Sequence, residues 1–332
     1  MKIDFNQLKH DGFVNEPIDE KLDLVAEIKR MKAEKNAVIL GHYYIEAELQ
    51  EIADFVGDSL ALSQKAAETD AEMIVFLGVH FMAETAKILS PSKKVIIPDL
   101  KADCSLAQSC QTADFAAFVA ANPDHTVISY VNTTAEIKAY TDICCTSSNA
   151  KEIVESLPKD AKIIFAPDRN LGNYINSVTG REMLLWNGAC HVHNEISLEK
   201  VLELKKQFPH AKLISHPEST KPVLLVSDYV GSTAQLLKFS QTDSAQTYIV
   251  ATEWGILHQM KKASPHKEFI PAPGEDASCA CSECSYMKIN SLKKLYLALK
   301  HEQPEVLVDA EVSKKAYKSI KRMLDISEKL GL

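Results

Sequence analysis

The chain has 332 residues, 46% hydrophobic and 25% charged, with a net charge of −8. That balance describes a globular protein of two or three domains and excludes wholesale disorder, collagen and coiled coil. There is no basic run to follow a phosphate backbone, no apolar run near the roughly 20 residues of a membrane span, and no apolar signal core in Met1–Gly12. The expectation is a cytoplasmic protein that binds neither nucleic acid nor membrane. In that compartment the eight cysteines should be reduced, so clustered ones read as metal ligands or catalytic groups.

Ile18, Leu22, Val25, Ile28 and Met31 recur at helical spacing after Pro17 and Asp19, which predicts a first amphipathic helix. A first repeat follows. Val38–Tyr44 reads as a strand ending in a polar cluster, Gly57-Asp-Ser59 opens a helix, Met73–Gly78 is a buried strand, and Val95–Asp99 leads to Cys104. The second repeat takes Val127–Asn132, Thr146-Ser-Ser148, Lys162–Ala166 and Met183–Trp186 to Cys190. The third takes Leu213–Glu218, Gly231-Ser-Thr233, Thr247–Ala251 and Phe269–Pro273 to Cys284. Val312, Ala316, Ile320, Met323 and Leu330 mark a final helix.

His42, Tyr130 and His216 are 88 and 86 residues apart, and Ser59, Ser147 and Ser232 are 88 and 85 apart. Cys104, Cys190 and Cys284 follow at 86 and 94, the last interval stretched by a segment rich in Pro, Gly and Cys. Four features in one order at one period make a threefold internal repeat. Each repeat is predicted as strand–helix–helix–strand–helix–strand around a parallel sheet. The divisions are an N-terminal helical segment 1–36, repeats 37–123, 124–209 and 210–310, and a C-terminal helix 311–332. The expected fold is α/β: three pseudo-equivalent three-layer α/β/α domains related by approximate threefold symmetry, with the active site at their central junction. Ligands of open α/β sheets bind beyond the carboxyl ends of the strands, where all these polar clusters fall.

Cys110, Cys144 and Cys145 read as small buried hydrophobes. Cys104, Cys190 and Cys284 each end a repeat, and three thiolates meeting on a common axis would hold a metal. Structural zinc wants a fourth protein ligand, whereas a [4Fe–4S] cluster on three cysteines leaves one iron open as a Lewis acid. A rival zinc knot combines Cys279, Cys281 and Cys284 with Cys190, His191 or His193, and Cys281 with Cys284 has the spacing of a redox pair. His42, His193 and His216 lie at strand ends or beside Cys190. With Tyr44, Tyr130 and Glu218 they offer proton donors and acceptors tunable near neutral pH. By spacing alone, Glu218 reads equally well as a solvated loop carboxylate. The Ser/Thr clusters serve both as helix N-caps and as anion sites, since helix N-termini present N–H groups and a positive dipole end.

Nine motifs carry a family resemblance: Gly41-His-Tyr-Tyr44, Gly57-Asp-Ser-Leu-Ala61, Val79-His-Phe-Met-Ala-Glu84, Pro98-Asp-Leu-Lys-Ala-Asp-Cys104, Tyr130-Val-Asn132, Gly188-Ala-Cys-His-Val-His193, His216-Pro-Glu218, Gly231-Ser-Thr233 and Thr252-Glu-Trp-Gly255. Over essentially its whole length the chain resembles the quinolinate synthase family, the A proteins of de novo NAD synthesis. The resemblance implies an oxygen-sensitive [4Fe–4S] cluster on Cys104, Cys190 and Cys284. It implies condensation of iminoaspartate with dihydroxyacetone phosphate to quinolinate, with phosphate and water released. It makes His42, Tyr44 and Glu218 proton-transfer residues, and Ser59, Tyr130, Asn132, Ser147, His193, His216, Ser232 and Thr233 substrate ligands. An aspartate oxidase or dehydrogenase is the implied source of iminoaspartate. Some relatives show Cys-x-x-Cys-x-x-Cys before the last helix. Here Ser278 takes the place of the first cysteine and Cys279 is displaced by one, while Ser-Tyr-Met after Cys284 resembles the family's Pro-aromatic-Met. Set against the enzyme are a zinc-stabilised binding module and an iron–sulfur sensor without condensation activity.

Overall fold

Runs of apolar residues become strands wherever both faces of a sheet are covered, as in Met73–Leu77 and Ile163–Ala166, which are buried throughout. The computed structural model describes residues 5–275 and 282–332. Among these, the first sheet consists of β1 (Ala37–His42), β2 (Phe55–Gly57), β3 (Met73–Leu77) and β4 (Lys94–Ile96). The second consists of β5 (Thr126–Tyr130), β6 (Ile143–Cys145), β7 (Ile163–Ala166) and β8 (Leu184–Leu185). The third consists of β9 (Lys212–Ser215), β10 (Tyr229–Val230), β11 (Thr247–Ala251) and β12 (Glu268–Pro271). All pairings are parallel. The orders are β2-β1-β3-β4, β6-β5-β7-β8 and β10-β9-β11-β12, one topology three times. The α/β fold and its three repeats are thus as expected.

A small device recurs with the topology. Before the edge strand of each repeat an aspartate closes a clasp on the first strand. The Oδ2 atoms of Asp54, Asp142 and Asp228 accept the N–H groups of Ile39, Val127 and Leu213 at 2.8, 2.8 and 2.7 Å. Their own N–H groups donate back to the same three residues' carbonyls at 2.8–2.9 Å. A buried parallel strand has no tight hairpin to set its register, and these paired bonds set it instead.

Two compact units divide the chain: Met1–Cys104 with Ser285–Tyr317, and Ser105–Cys284 with Lys318–Leu332. The stretch Ser285–Tyr317, placed above in the third repeat and the last helix, therefore belongs with the first sheet. Helix Leu292–His301 packs on helix Leu24–Glu34 there, and Lys294 pairs with the buried Asp99 at 2.6 Å. In the other unit, the end of helix Ala310–Leu330 docks on the second repeat. Ser319 donates to the Lys138 carbonyl at 3.0 Å, and Asn149 donates to Ser327 Oγ at 2.9 Å.

Two expectations need correction. Each repeat carries one more strand than predicted, because β2, β6 and β10 are only three, three and two residues long and give no periodicity to detect. The first amphipathic helix begins at Leu24, where Asp23 accepts the Ala26 N–H at 3.0 Å. Asp19 instead closes a turn on Lys21, so Ile18 and Leu22 precede the helix. The last helix carries Leu330 at its end, as expected. Among the described residues, no helix is long and apolar enough to cross a membrane.

Candidate active site

In a 2-1-3-4 sheet the connections leave in opposite directions between the first and third strands, which opens a crevice beyond their carboxyl ends. The loops after these strands carry the residues singled out from the sequence. In the unit of the first sheet, His42 ends β1 and is buried. Its Nδ1 accepts the Tyr44 N–H at 3.2 Å, and the Tyr44 ring stands edge-on to it with centroids 4.5 Å apart. Lys288 Nζ donates to the Tyr44 carbonyl at 2.7 Å and fixes that turn. Ser59 is the first residue of helix Ser59–Glu68, and the cap is Asp58, which accepts the Ala61 N–H at 3.0 Å. Cys104 is half-buried on the loop after β4, with its N–H on Asp103 Oδ1 at 2.7 Å.

The unit of the second and third sheets assembles more. His216 follows β9 and repeats the local geometry of His42, since its Nδ1 accepts the Glu218 N–H at 3.3 Å. His216 Nε2 lies 3.1 Å from Ser147 Oγ. His193 stacks on His216 with centroids 4.5 Å apart and an interplanar angle of 27°. His193 Nδ1 is 2.7 Å from Glu218 Oε2 and 3.3 Å from Cys190 Sγ, and its Nε2 is 2.9 Å from Thr252 Oγ1. Both Glu218 and His193 are 2% exposed. Glu218 is therefore a buried group, not a solvated one.

Burial alone would raise the Glu218 carboxyl. The charges of His193 and then His216, with hydrogen bonds from His193 and Tyr130, outweigh burial and hold it well below the ordinary carboxylate range. Nearby Asp168 shifts the other way, raised by burial and by the charge of Glu218. Two neighbouring buried carboxyls thus shift in opposite directions.

Glu218 Oε1 and Asn132 Oδ1 are buried acceptors without a hydrogen-bond partner. Orphaned acceptors of this kind are costly unless a ligand completes them. Cys190 Sγ, a His193 ring nitrogen and a Glu218 oxygen lie within 4.8 Å of one another, a donor set suited to a metal ion.

Ser232 caps helix Thr233–Thr242 in a reciprocal box with Gln235, and its Oγ accepts from Ser148 Oγ at 2.8 Å. Thr233, taken with Ser232 as a cap from the sequence, is the first residue inside the helix. Ser147 lies in the Thr146–Asn149 turn, where Asn149 rather than a hydroxyl precedes the next helix. Tyr130, Ser147, Cys190, His193, His216 and Glu218 thus converge, while Ser232 joins through Ser148. Cys284 is half-buried at the start of helix Ser285–Lys288. Cys279, Cys281 and Ser278, on which the zinc-knot and redox-pair readings rest, lie outside the described residues. Cys110, Cys144 and Cys145 are buried, and desolvation pushes the Cys110 thiol up to about 12, which makes it inert as expected.

Three residues at this site had no role from the sequence. Thr252 holds His193. Asp168 and Glu253 are both wholly buried and each lies two residues beyond the third strand of its repeat. That shared offset was the signal available for finding them.

Comparison with known proteins agrees with the geometry. The family described as Quinolinate synthetase A protein matches residues 26–325. The chain is 55% identical over 306 residues to the quinolinate synthase of Thermosynechococcus vestitus, covering 92% of this chain and 96% of that one. It is 56% identical over 305 residues to the quinolinate synthase of Synechocystis sp., covering 92% and 96%. A similar protein from Rippkaea orientalis, also a quinolinate synthase, is 56% identical over 305 residues.

Proposed function

Since the chain belongs to the Quinolinate synthetase A protein family, whose curated members are enzymes, we propose that it condenses iminoaspartate with dihydroxyacetone phosphate to quinolinate in NAD biosynthesis. The observation that carries this reading is the buried His193–Glu218–His216 group beside Cys190, with an unsatisfied carboxylate oxygen on the loop after β9. A site meant only for stability would satisfy that oxygen.

The donor chemistry fits a metal group. Cys104, Cys190 and Cys284, one from each repeat, would hold a [4Fe–4S] cluster, and that assignment rests on the family resemblance and on their recurrence. When bound, the cluster supplies a Lewis-acidic iron that assists loss of a hydroxyl group. The remaining work falls to side chains. Glu218, held ionised, accepts a proton at its orphaned Oε1, while His193 fixes the opposite oxygen. Tyr130 and Asn132 orient the substrate from the β5 loop. Ser232, Thr233 and the N–H groups of the ten-residue helix Thr233–Thr242 receive a carboxylate or phosphate. His42 and Tyr44 serve as the proton-transfer pair of the first repeat, with Ser59 as a substrate contact. An aspartate oxidase or dehydrogenase supplies iminoaspartate, which places the enzyme in the cytoplasm with that supplier.

The test is product formation. Iron-loaded chain purified without oxygen receives dihydroxyacetone phosphate and iminoaspartate made in situ from oxaloacetate and ammonia, and quinolinate is measured by chromatography. Quinolinate should appear only with both substrates. An iron-loaded chain that makes none would leave a sensor, and a colourless chain that keeps zinc in air would leave a binding module.

A further inference from the structure

Asp168 and Glu253 lie at corresponding places in the second and third repeats, and each carboxylate has one oxygen turned inward and one turned outward. The inward oxygens hold their own loops: Asp168 Oδ1 accepts the Leu171 N–H at 2.7 Å, and Glu253 Oε2 accepts the Gly255 N–H at 2.7 Å. The outward oxygens reach the backbone of two cysteines: Asp168 Oδ2 accepts the Cys190 N–H at 2.9 Å, and Glu253 Oε1 accepts the Cys284 N–H at 3.3 Å. Both carboxylates are fully buried, a placement that is expensive without purpose. The first repeat has Val79 at this place, and there Cys104 takes its hold from the neighbouring Asp103. Two carboxylates from two repeats doing the same paired task is a design of the site rather than an accident of one loop.

We propose that Asp168 and Glu253 are positioning residues for the metal centre, each orienting one ligand cysteine by gripping its backbone N–H. The N–H direction fixes the backbone at the cysteine and hence the direction in which its sulfur leaves the chain. The surroundings of each grip are built to preserve it. Cys190 follows Gly188, whose N–H donates to the Pro167 carbonyl at 3.1 Å while its carbonyl accepts from Arg169 at 2.9 Å. A side chain at Gly188 would meet Ser109 Oγ at 2.3 Å and the Pro167 carbonyl at 2.5 Å, so only glycine permits the approach. Cys284 follows Ser282 and Glu283, whose backbone carbonyl and carboxylate accept from the Trp254 N–H and Trp254 Nε1 at 3.1 Å each. Both cysteines are thus laid against the loop that carries their carboxylate. The inference rests on the cluster reading above and adds to it the groups that aim two of the three sulfurs.

Asp168→Asn and Glu253→Gln test it, because each amide keeps one oxygen for the local N–H and turns a donor toward the cysteine. Iron- and sulfide-loaded full-length chain is exposed anaerobically to a ferrous chelator, and the decay of cluster absorption is timed. Thermal melting of the cluster-free chain and the electron paramagnetic resonance spectrum of the reduced cluster are recorded beside it. Asp23→Asn, which alters a helix cap far from any candidate ligand in sequence, is the control. Each of the two variants should lose its cluster about 10-fold faster or more, the usual cost of removing a group that orients a metal ligand. Their spectra should change and the control should match the parent chain. If Asp168→Asn does not fold, Glu253→Gln decides alone. Parental decay and spectrum in the variants, or equally fast decay in the control, would overturn the proposal. A parent chain that takes up no cluster would overturn the cluster reading and this inference with it.

Discussion

Glu218 shows how much of a site one side chain can organise. Its backbone N–H donates to His216 Nδ1, its Oε2 holds the His193 ring, and its Oε1 is left for a ligand. Glu218→Gln keeps the shape and removes the proton acceptor. It should retain iron while turnover falls about 10²-fold or more, as steady-state kinetics on iron-matched protein will show. Turnover near that of the parent chain would make Glu218 structural. The neighbouring hydroxyls divide differently. Ser232 is the cap of its helix, so Ser232→Ala should cost about 1 kcal/mol of stability in thermal melting. Thr233 lies just inside the helix and does not cap it, so Thr233→Ala is read by kinetics beside melting. It should lower kcat/KM about tenfold if its hydroxyl meets a charged substrate group. A lowered melting temperature with unchanged kcat/KM would remove Thr233 from the binding site. Both residues were legible as a helix start from Gly231-Ser-Thr233, but which of them caps depends on one backbone turn that spacing does not resolve.

At the scale of elements, the long buried strands and their polar ends were legible, because an apolar run bounded by turn residues leaves few alternatives. The two- and three-residue edge strands were not, since their pairing is imposed by the neighbouring strand and by the clasps of Asp54, Asp142 and Asp228 rather than by their own residues. Another aspartate binds the third repeat together. Asp243 is held down to about 2, first by Lys212, with burial opposing and the Ala245 N–H and the Tyr248 hydroxyl adding to the depression. A carboxyl whose folded pKa is depressed contributes stability above its unfolded value, near 3.8, and loses that contribution as pH falls toward 2. Parent chain should therefore melt above Asp243→Asn at pH 6, with the gap narrowing as pH drops below about 4. A gap constant from pH 6 to pH 3 would show that Asp243 acts through shape alone.

For the whole molecule, the threefold repeat was the most legible property, because an 85–88-residue period survives in residues that must end strands and start helices. The return of Ser285–Tyr317 to the first sheet was not legible. It depends on contacts such as Lys294 with Asp99 and Asn290 with Gly78, about 200 residues apart in sequence and unmarked by any motif. The same holds for the site, where His193 and Glu218 were visible singly but their contacts with each other and with Thr252 join loops of different strands. The central claim is that one cysteine from each repeat holds a single cluster that the enzyme needs. The measurement that tests it most directly is iron and sulfide per chain, determined without oxygen, in the parent and in Cys104→Ser, Cys190→Ser, Cys284→Ser and Cys110→Ser. The account predicts about four irons and four sulfides in the parent and in Cys110→Ser, and loss of the cluster in the other three. A full complement in any of those three, or none in the parent, would contradict it.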